Sequence, residues 1–408
     1  MELDKSDRRP FLKSQCLRVT LSSRARPFKE ATLPTQAEHP RKIALVLQGG
    51  GARGAYHVGV IRAIAEITAC QRSPFQIVCG SSVGAINAAS VAMTSVDFQL
   101  GAERLESLWR SLHCNSIYDA RALPMLARSS RWAMTLFLGQ LGLRMTGGLL
   151  DYRPLRDLLA REFSQRHLRR AIRSGALHAL CITTSSYSDG TSTTFFQGDD
   201  SLQPWSRARR LGERAVLQAD HILASAALPF AFAPVHLDNR YFGDGALRTT
   251  SPLSPAIHTG ADRILVVGTR DHAVGPRRST QPSLGEIAGH ALDILFNDNL
   301  EADAERLERI NHTISLLSEE ARNKTRLRVI DAATIAPSRD IRELAKAHAG
   351  ELPRSMRLLL RSIGYSGGDA RIESYLMFEP GYIGALIDLG HADTWARAEE
   401  IRTFLTAT

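Results

Sequence analysis

The chain has 408 residues, 44% of them hydrophobic and 23% charged, with a formal net charge of +9. That balance excludes a disordered or fibrous chain and allows one large domain with additions, or two domains. Five cysteines, odd in number and without a C-x-x-C pair, argue against a disulfide framework or a zinc site and fit reduced thiols. The basic residues are spread out with no nucleic-acid-binding signature beside them, so no nucleic-acid partner is expected.

Residues 1–41 mix Arg, Lys, Ser, Thr and Pro with little periodicity and read as a mobile basic leader. They hold no apolar core of signal-peptide length, and no stretch reaches the roughly 18 uncharged apolar residues of a spanning helix. The expectation is a cytoplasmic protein whose contact with membranes, if any, is peripheral. Ile43–Leu47 is a short buried-strand run that stops at Gly49–Gly51, and a helical pattern follows from Gly54 to about Ala69. A second strand, Phe75–Cys79, ends in Gly80-Ser-Ser-Val-Gly84, where a helix of small residues begins.

Further strands are predicted at Leu177–Thr184, Thr193–Gln197, Arg263–Gly268 and Arg326–Ile330, several of them separated by helical stretches. Alternating strands and helices predict an α/β fold: three layers, α/β/α, with a mainly parallel central sheet. The domain is placed at 42–335, its motif-bearing core at 42–270, and a helical C-terminal extension at 336–408. Between them, Trp132–Leu143 is apolar and bordered by arginines, too short to span a bilayer. It suits an interfacial helix, a lid over an acyl pocket, or a buried core helix.

Gly49-Gly-Gly-Ala-Arg-Gly54 follows a strand and opens a helix. Its backbone can turn tightly, and its N–H groups with the helix start suit a negative charge, either a phosphate or the oxyanion of acyl transfer. The segment also satisfies G-x-G-x-x-G through Gly49, Gly51 and Gly54, so a nucleotide-binding protein is the alternative. That alternative needs an acid at the end of the next strand, where the chain has Cys79-Gly80-Ser81-Ser82 instead. Gly80-Ser81-Ser82-Val83-Gly84 matches the G-x-S-x-G nucleophile elbow in a strand–turn–helix context. Ser82 is the candidate nucleophile, Gly80 and Gly84 allow the turn, and Ser81 is structural. His258, His272, His290, His312, His348 and His391 could each be proposed as its base, but none lies in a motif.

Glycine loop, elbow, and a later Phe242-Gly-Asp-Gly-Ala246 occur in the order found in patatin-like phospholipases, which this chain resembles. Ala224-Ser-Ala-Ala-Leu-Pro-Phe-Ala-Phe-Ala-Pro234 and Gly147–Leu155 add to the resemblance, which covers about residues 42–270. It implies a patatin-like fold and a serine esterase with a Ser82–Asp244 dyad, Gly245 and Ala246 supporting the base loop. It also implies oxyanion stabilisation by the loop Gly49, Gly50, Gly51, Ala52, Arg53 and Gly54, chiefly the N–H groups near Gly50, Gly51 and Ala52. No metal or organic cofactor is implied. Taken alone, Asp244-Gly245 is a common turn dipeptide, and Arg53 either steers a phosphate or forms a surface salt bridge. The implied substrate is a lipid, a phospholipid or lysophospholipid, with contact to an anionic membrane compatible with the basic flanks. An acyltransferase or triglyceride lipase using the same dyad is the remaining alternative.

Overall fold

A strand that is apolar at every position has no polar face to give to water, so it must be covered on both sides. In the computed structural model, which describes residues 41–121, 148–270, 281, 283–325, 327–362 and 370–406, β1 (Ile43–Leu47) is buried throughout. Its side chains alternate between two cores: Ile43, Leu45 and Leu47 enter one, Ala44 and Val46 the other. β1 pairs in parallel with β2 (Ile77–Ser81), and β2 with β3 (Ala179–Ser186). On its other edge β1 pairs in parallel with β9 (Arg263–Val267), which pairs in parallel with β10 (Asp331–Ile335).

Beyond β3 the sheet turns mixed. β4 (Ser192–Gly198) is antiparallel to β3, β6 (Arg210–Arg214) is parallel to β4, and β5 (Trp205–Arg207) closes the edge antiparallel to β6. β8 (Arg240–Asp244) runs antiparallel to the last residues of β3, carrying β7 (Val235–Leu237) with it. The order is β10-β9-β1-β2-β3-β4-β6-β5, with β8 attached at the end of β3. The mainly parallel sheet flanked by helices is the architecture predicted from the sequence.

The strand expected at Arg326–Ile330 lies further along, at Asp331–Ile335, in register from Asp331↔Arg263. The residues just before it are held away from the ladder by side-chain bonds. Arg328 donates to the carbonyls of Ile257 and Ala261, and Asn311 bonds both the N–H and the carbonyl of Ile330. The second strand likewise begins two residues later than expected and runs up to Ser81.

Helices α1 (Ala55–Thr68) and α2 (Val83–Met93) follow β1 and β2. The helix Pro380–Trp395, part of the expected C-terminal extension, lies along α1 at backbone contact. A β-carbon on Gly59 would stand 1.9 Å from the Ile387 carbonyl oxygen, so only glycine fits there. Residues from Arg41 to the C-terminus form one compact unit. Among the described residues no helix is long and apolar enough to cross a membrane. The expected leader, apart from Arg41, and Trp132–Leu143 lie outside the described residues.

Candidate active site

Five parallel strands, β10, β9, β1, β2 and β3, bring their C-terminal ends to one edge of the sheet, the usual site of function in open α/β sheets. Because Leu47 is in register with Gly80, the loop after β1 runs beside the turn after β2. That turn is Ser82, with φ 54° and ψ −131°. A side-chain-bearing residue in such a conformation is strained by about 1–3 kcal/mol and is held only by its surroundings. Two features hold it. The flanking glycines admit backbone contact: a β-carbon on Gly84 would meet the Leu47 carbonyl oxygen at 2.1 Å, and one on Gly80 the Gly84 carbonyl at 2.2 Å. The Ser82 N–H donates to the Ser225 hydroxyl at 3.0 Å, and that hydroxyl donates to the Thr183 carbonyl at 2.6 Å.

Asp244 ends β8 and reaches the same point from the other side. Its register with Thr184 puts it one strand from the elbow, and its N–H donates to the Ala227 carbonyl at 2.9 Å. The Ser82 hydroxyl donates to Asp244 Oδ2 at 2.6 Å, while the Ala246 N–H donates to Oδ1 at 2.9 Å. Gly245 lets β8 close onto β3: a β-carbon there would lie 2.1 Å from the Thr183 carbonyl oxygen. Asp244 is therefore not a free turn residue, as Asp-Gly alone would suggest. Complete burial pushes its carboxyl up to about 7, against the opposing pull of the Ser82 hydroxyl and the Ala246 N–H.

The glycine loop is tied down by its carbonyls. Gly49 C=O accepts from the Thr269 hydroxyl at 2.8 Å, Gly50 C=O from the Arg53 N–H at 3.2 Å, and Gly54 C=O from Asn87 Nδ2 at 3.0 Å. Among the described residues the N–H groups of Gly50, Gly51 and Ala52 meet no acceptor. Arg53 is 3% exposed and its partner Asp293 19%, so the ion pair is a partly buried one and not a surface one. Its guanidinium donates to Ser374 Oγ at 2.7 and 2.9 Å, lies 3.3 Å from Asp293, and stacks on the Tyr375 ring with 3.8 Å to the centroid.

An apolar cleft of about 760 Å³, its open mouth included, starts at Ser82 and Gly51. Ile86, Trp109, Leu155, Leu158 and Phe378 are among its walls. Phe296 and Tyr375 stack at 5.3 Å and close it beside the glycine loop. These two, with Asp293 and Ser374, were not singled out in the sequence; the apolar run Tyr375-Leu-Met-Phe378 was the one available sign of them.

Among the described residues no histidine hydrogen-bonds Ser82. His258 stacks on Trp205 at 5.0 Å, while His348 and His391 bond Glu351 and Glu66 at 2.7 and 2.9 Å. His272 lies outside the described residues. The end of β2 carries no acid in reach of the glycine loop, only Ser81 and Ser82.

The family model for patatin-like phospholipases matches residues 45–257, more than half of the chain. A patatin-like phospholipase domain-containing protein of Caenorhabditis elegans is 42% identical over 76 residues, 17% of this chain and 5% of its own length. An uncharacterised NTE family protein of Mycobacterium tuberculosis is 25% identical over 62% of this chain and 56% of its own. The chain thus spans little more than half of the mycobacterial relative and a small part of the nematode one. Human GIVD cytosolic phospholipase A2, among solved structures, is 12% identical, with a TM-score of 0.39 over 90% of this chain and 60% of that one; a likeness at that level carries no argument. The matched span contains most of the glycine loop's strand, the elbow and the aspartate in their expected order, and on it the chain belongs to the patatin-like phospholipase family.

Proposed function

We propose that the chain is a serine acyl hydrolase that cleaves fatty-acyl esters of phospholipids or lysophospholipids. The observation that carries this reading is the 2.6 Å hydrogen bond from the Ser82 hydroxyl, which lines an apolar cleft, to a fully buried Asp244. Ser82 Oγ attacks the ester carbonyl carbon as its proton passes to Asp244 Oδ2. The negative charge that develops on the carbonyl oxygen is met by N–H groups of Gly50, Gly51 and Ala52, with the α2 N-terminus adding its partial positive charge. Collapse breaks the C–O bond, and the leaving alkoxide takes the proton back from Asp244. Water then attacks the acyl-enzyme, giving its proton to the same carboxylate; collapse breaks the Ser82 Oγ–acyl bond, Asp244 returns the proton to Oγ, and the fatty acid leaves.

Burial answers the objection that a carboxylate is a weak base. A group near 7 is better matched to a serine hydroxyl than one near 4, and it is still partly ionised at neutral pH. The cleft supports an acyl chain as the occupant, since its walls offer hydrocarbon and few polar partners. A phospholipid surface as the source of that chain is in keeping with the net positive charge.

The test is labelling of the whole chain with a fluorophosphonate, followed by peptide mapping, with Ser82→Ala and Asp244→Asn alongside. Labelling confined to Ser82, with Asp244→Asn slowed by at least about 100-fold, supports the dyad. A folded wild type that stays unlabelled, yet binds a nicotinamide nucleotide, overturns it. Release of free fatty acid, rather than transfer to an added alcohol, separates the hydrolase from an acyltransferase with the same dyad.

A further inference from the structure

A second depression lies at the end of β3 that pairs with β8. Its floor is the C-terminal end of β3, and its walls are the β5–β6 turn and the segment after Asp244. Three arginines line it, Arg209, Arg210 and Arg248, and no carboxylate does. Among the described residues none of the three is in a salt bridge. Asp303 acts on Arg210 only at longer range and is itself held by Arg306 at 2.8 Å. Ser185, Ser186 and Tyr187 complete the lining; the Ser185 hydroxyl donates to the Gly245 carbonyl and the Ser186 hydroxyl accepts from the Asp189 N–H, so the arginines are the groups left to meet an anion.

The backbone points the same way. Arg209 sits at the tip of the two-residue turn between β5 and β6 with φ 56°, a left-handed conformation that favours Gly or Asn. Arginine is less favourable there than glycine would be. That turn puts Arg209 in the same lining as Arg248, whose guanidinium passes next to Gly190 on the β3–β4 turn. Like charges gathered in one concavity repel one another, and a dianion placed among them removes that repulsion while accepting from guanidinium forks.

We propose that this depression is a phosphate-binding site, filled either by the phosphate of a lipid headgroup or by a free phosphorylated small molecule. Binding at the site does not depend on catalysis; only the headgroup source rests on the function proposed above. The depression adjoins the dyad through β8. Tyr187 feels the charge of Asp244, and its hydroxyl would lie 2.4 Å from a β-carbon on Gly243. Ser185 and Ser186 of its lining pair with Gly243 and Phe242 of β8, so the recess adjoins the strand that ends in the proposed base.

The experiment is calorimetric titration of the full chain with inorganic phosphate at low ionic strength, for wild type and for the double variant Arg209→Gly/Arg248→Gln. Wild type is expected to give saturable binding below about 10 mM, and the double variant to bind at least about tenfold more weakly. Arg209→Gly relaxes a strained turn, so an unchanged or raised Tm keeps loss of fold from mimicking loss of the site. The same proteins are then assayed on phosphatidic acid vesicles and on p-nitrophenyl butyrate, which has no phosphate. A selective fall of about tenfold in kcat/KM on the vesicles assigns the site to the headgroup. Loss of phosphate binding with both activities kept assigns it to a free phosphorylated ligand. No saturable binding by wild type, or equal binding by the double variant, overturns the proposal. Absence of any ester hydrolysis leaves the titration result standing and counts against the dyad alone.

Discussion

The carbonyl oxygen of Tyr375 packs so closely on Gly51 that a β-carbon at Gly51 would stand 2.3 Å from it. More than three hundred residues separate the two in sequence, yet this contact sets where the glycine loop stops. Tyr375 also carries Arg53 on its ring, and its hydroxyl donates to Asp293 at 2.7 Å, the carboxylate that pairs with Arg53 and Arg371. One C-terminal helical turn thus braces the loop whose N–H groups are proposed to hold the oxyanion.

Gly51→Ala follows from that contact. Its φ of 55° disfavours any β-carbon by about 1–2 kcal/mol, and the Tyr375 backbone cannot give way without moving its helix. The loop is expected to shift and take its N–H groups off line. Ester hydrolysis should fall by about 100-fold or more, the loss typical of one oxyanion donor, while the chain stays folded. Steady-state kinetics beside a thermal melt checks this; full activity in the variant removes the loop from catalysis.

Asp244→Asn separates stability from function. The folded carboxyl is raised to about 7 from an ordinary 3.8, with burial as the largest cause. Between these values the native state holds a proton that the unfolded chain has released, so stability falls as pH rises through that window and levels off above about 7. The full difference is on the order of 4 kcal/mol. Asparagine keeps the shape without charge: its oxygen can still accept from the Ala246 N–H, while its NH2 can only donate to the Ser82 oxygen, so that bond reverses direction. The variant should be inactive yet more stable than wild type at pH 8, with the gain vanishing near pH 4. Denaturant melts at the two pH values measure it. Wild-type kcat/KM should climb with pH through about 7, since the base works only when ionised.

The parts of this site that were legible in the sequence are those whose chemistry demands a local backbone shape. A strained serine turn needs Gly80 and Gly84 beside it, and the loop needs glycine at 49–51, so both leave a pattern within five or six residues. Asp244 is less legible because Asp-Gly serves turns as well, and the strand it ends, Arg-Tyr-Phe-Gly-Asp, has no apolar alternation over its length. The mixed edge of the sheet was missed for the same reason: β5 to β8 are short, and charged or polar residues fill much of them. Phe296, Asp293 and Tyr375 meet the loop only through tertiary packing, and no spacing rule announces such contacts.

Ser225→Ala tests how the elbow is held. The Ser225 hydroxyl is fully buried between the Ser82 N–H and the Thr183 carbonyl. Removing it leaves a buried donor and a buried acceptor unpaired, a cost of about 1–3 kcal/mol. It also frees Ser82 to leave its strained φ. Stability should drop by that amount, and kcat should drop more than KM changes, because the proposed nucleophile rather than the cleft is disturbed. Ser225→Thr keeps the hydroxyl and is expected to restore much of kcat.

Leu158→Trp tests the cleft. Leu158 is buried on the helix Arg153–Glu162 and faces the apolar space together with Leu155. A larger ring there is added to open volume instead of packed core, so the usual overpacking cost of about 1–3 kcal/mol should be softened. If an acyl chain lies along this wall, length decides the effect. A p-nitrophenyl palmitate should lose about tenfold or more in kcat/KM, while p-nitrophenyl acetate, too short to reach the indole, should be cleaved as before. Equal losses on both esters point to a disturbed elbow, and no loss on either places the acyl chain elsewhere. Leu158→Ala gives the opposite arm: a deeper cleft should raise the preference for the longer chain, since each additional buried methylene contributes about 0.8 kcal/mol.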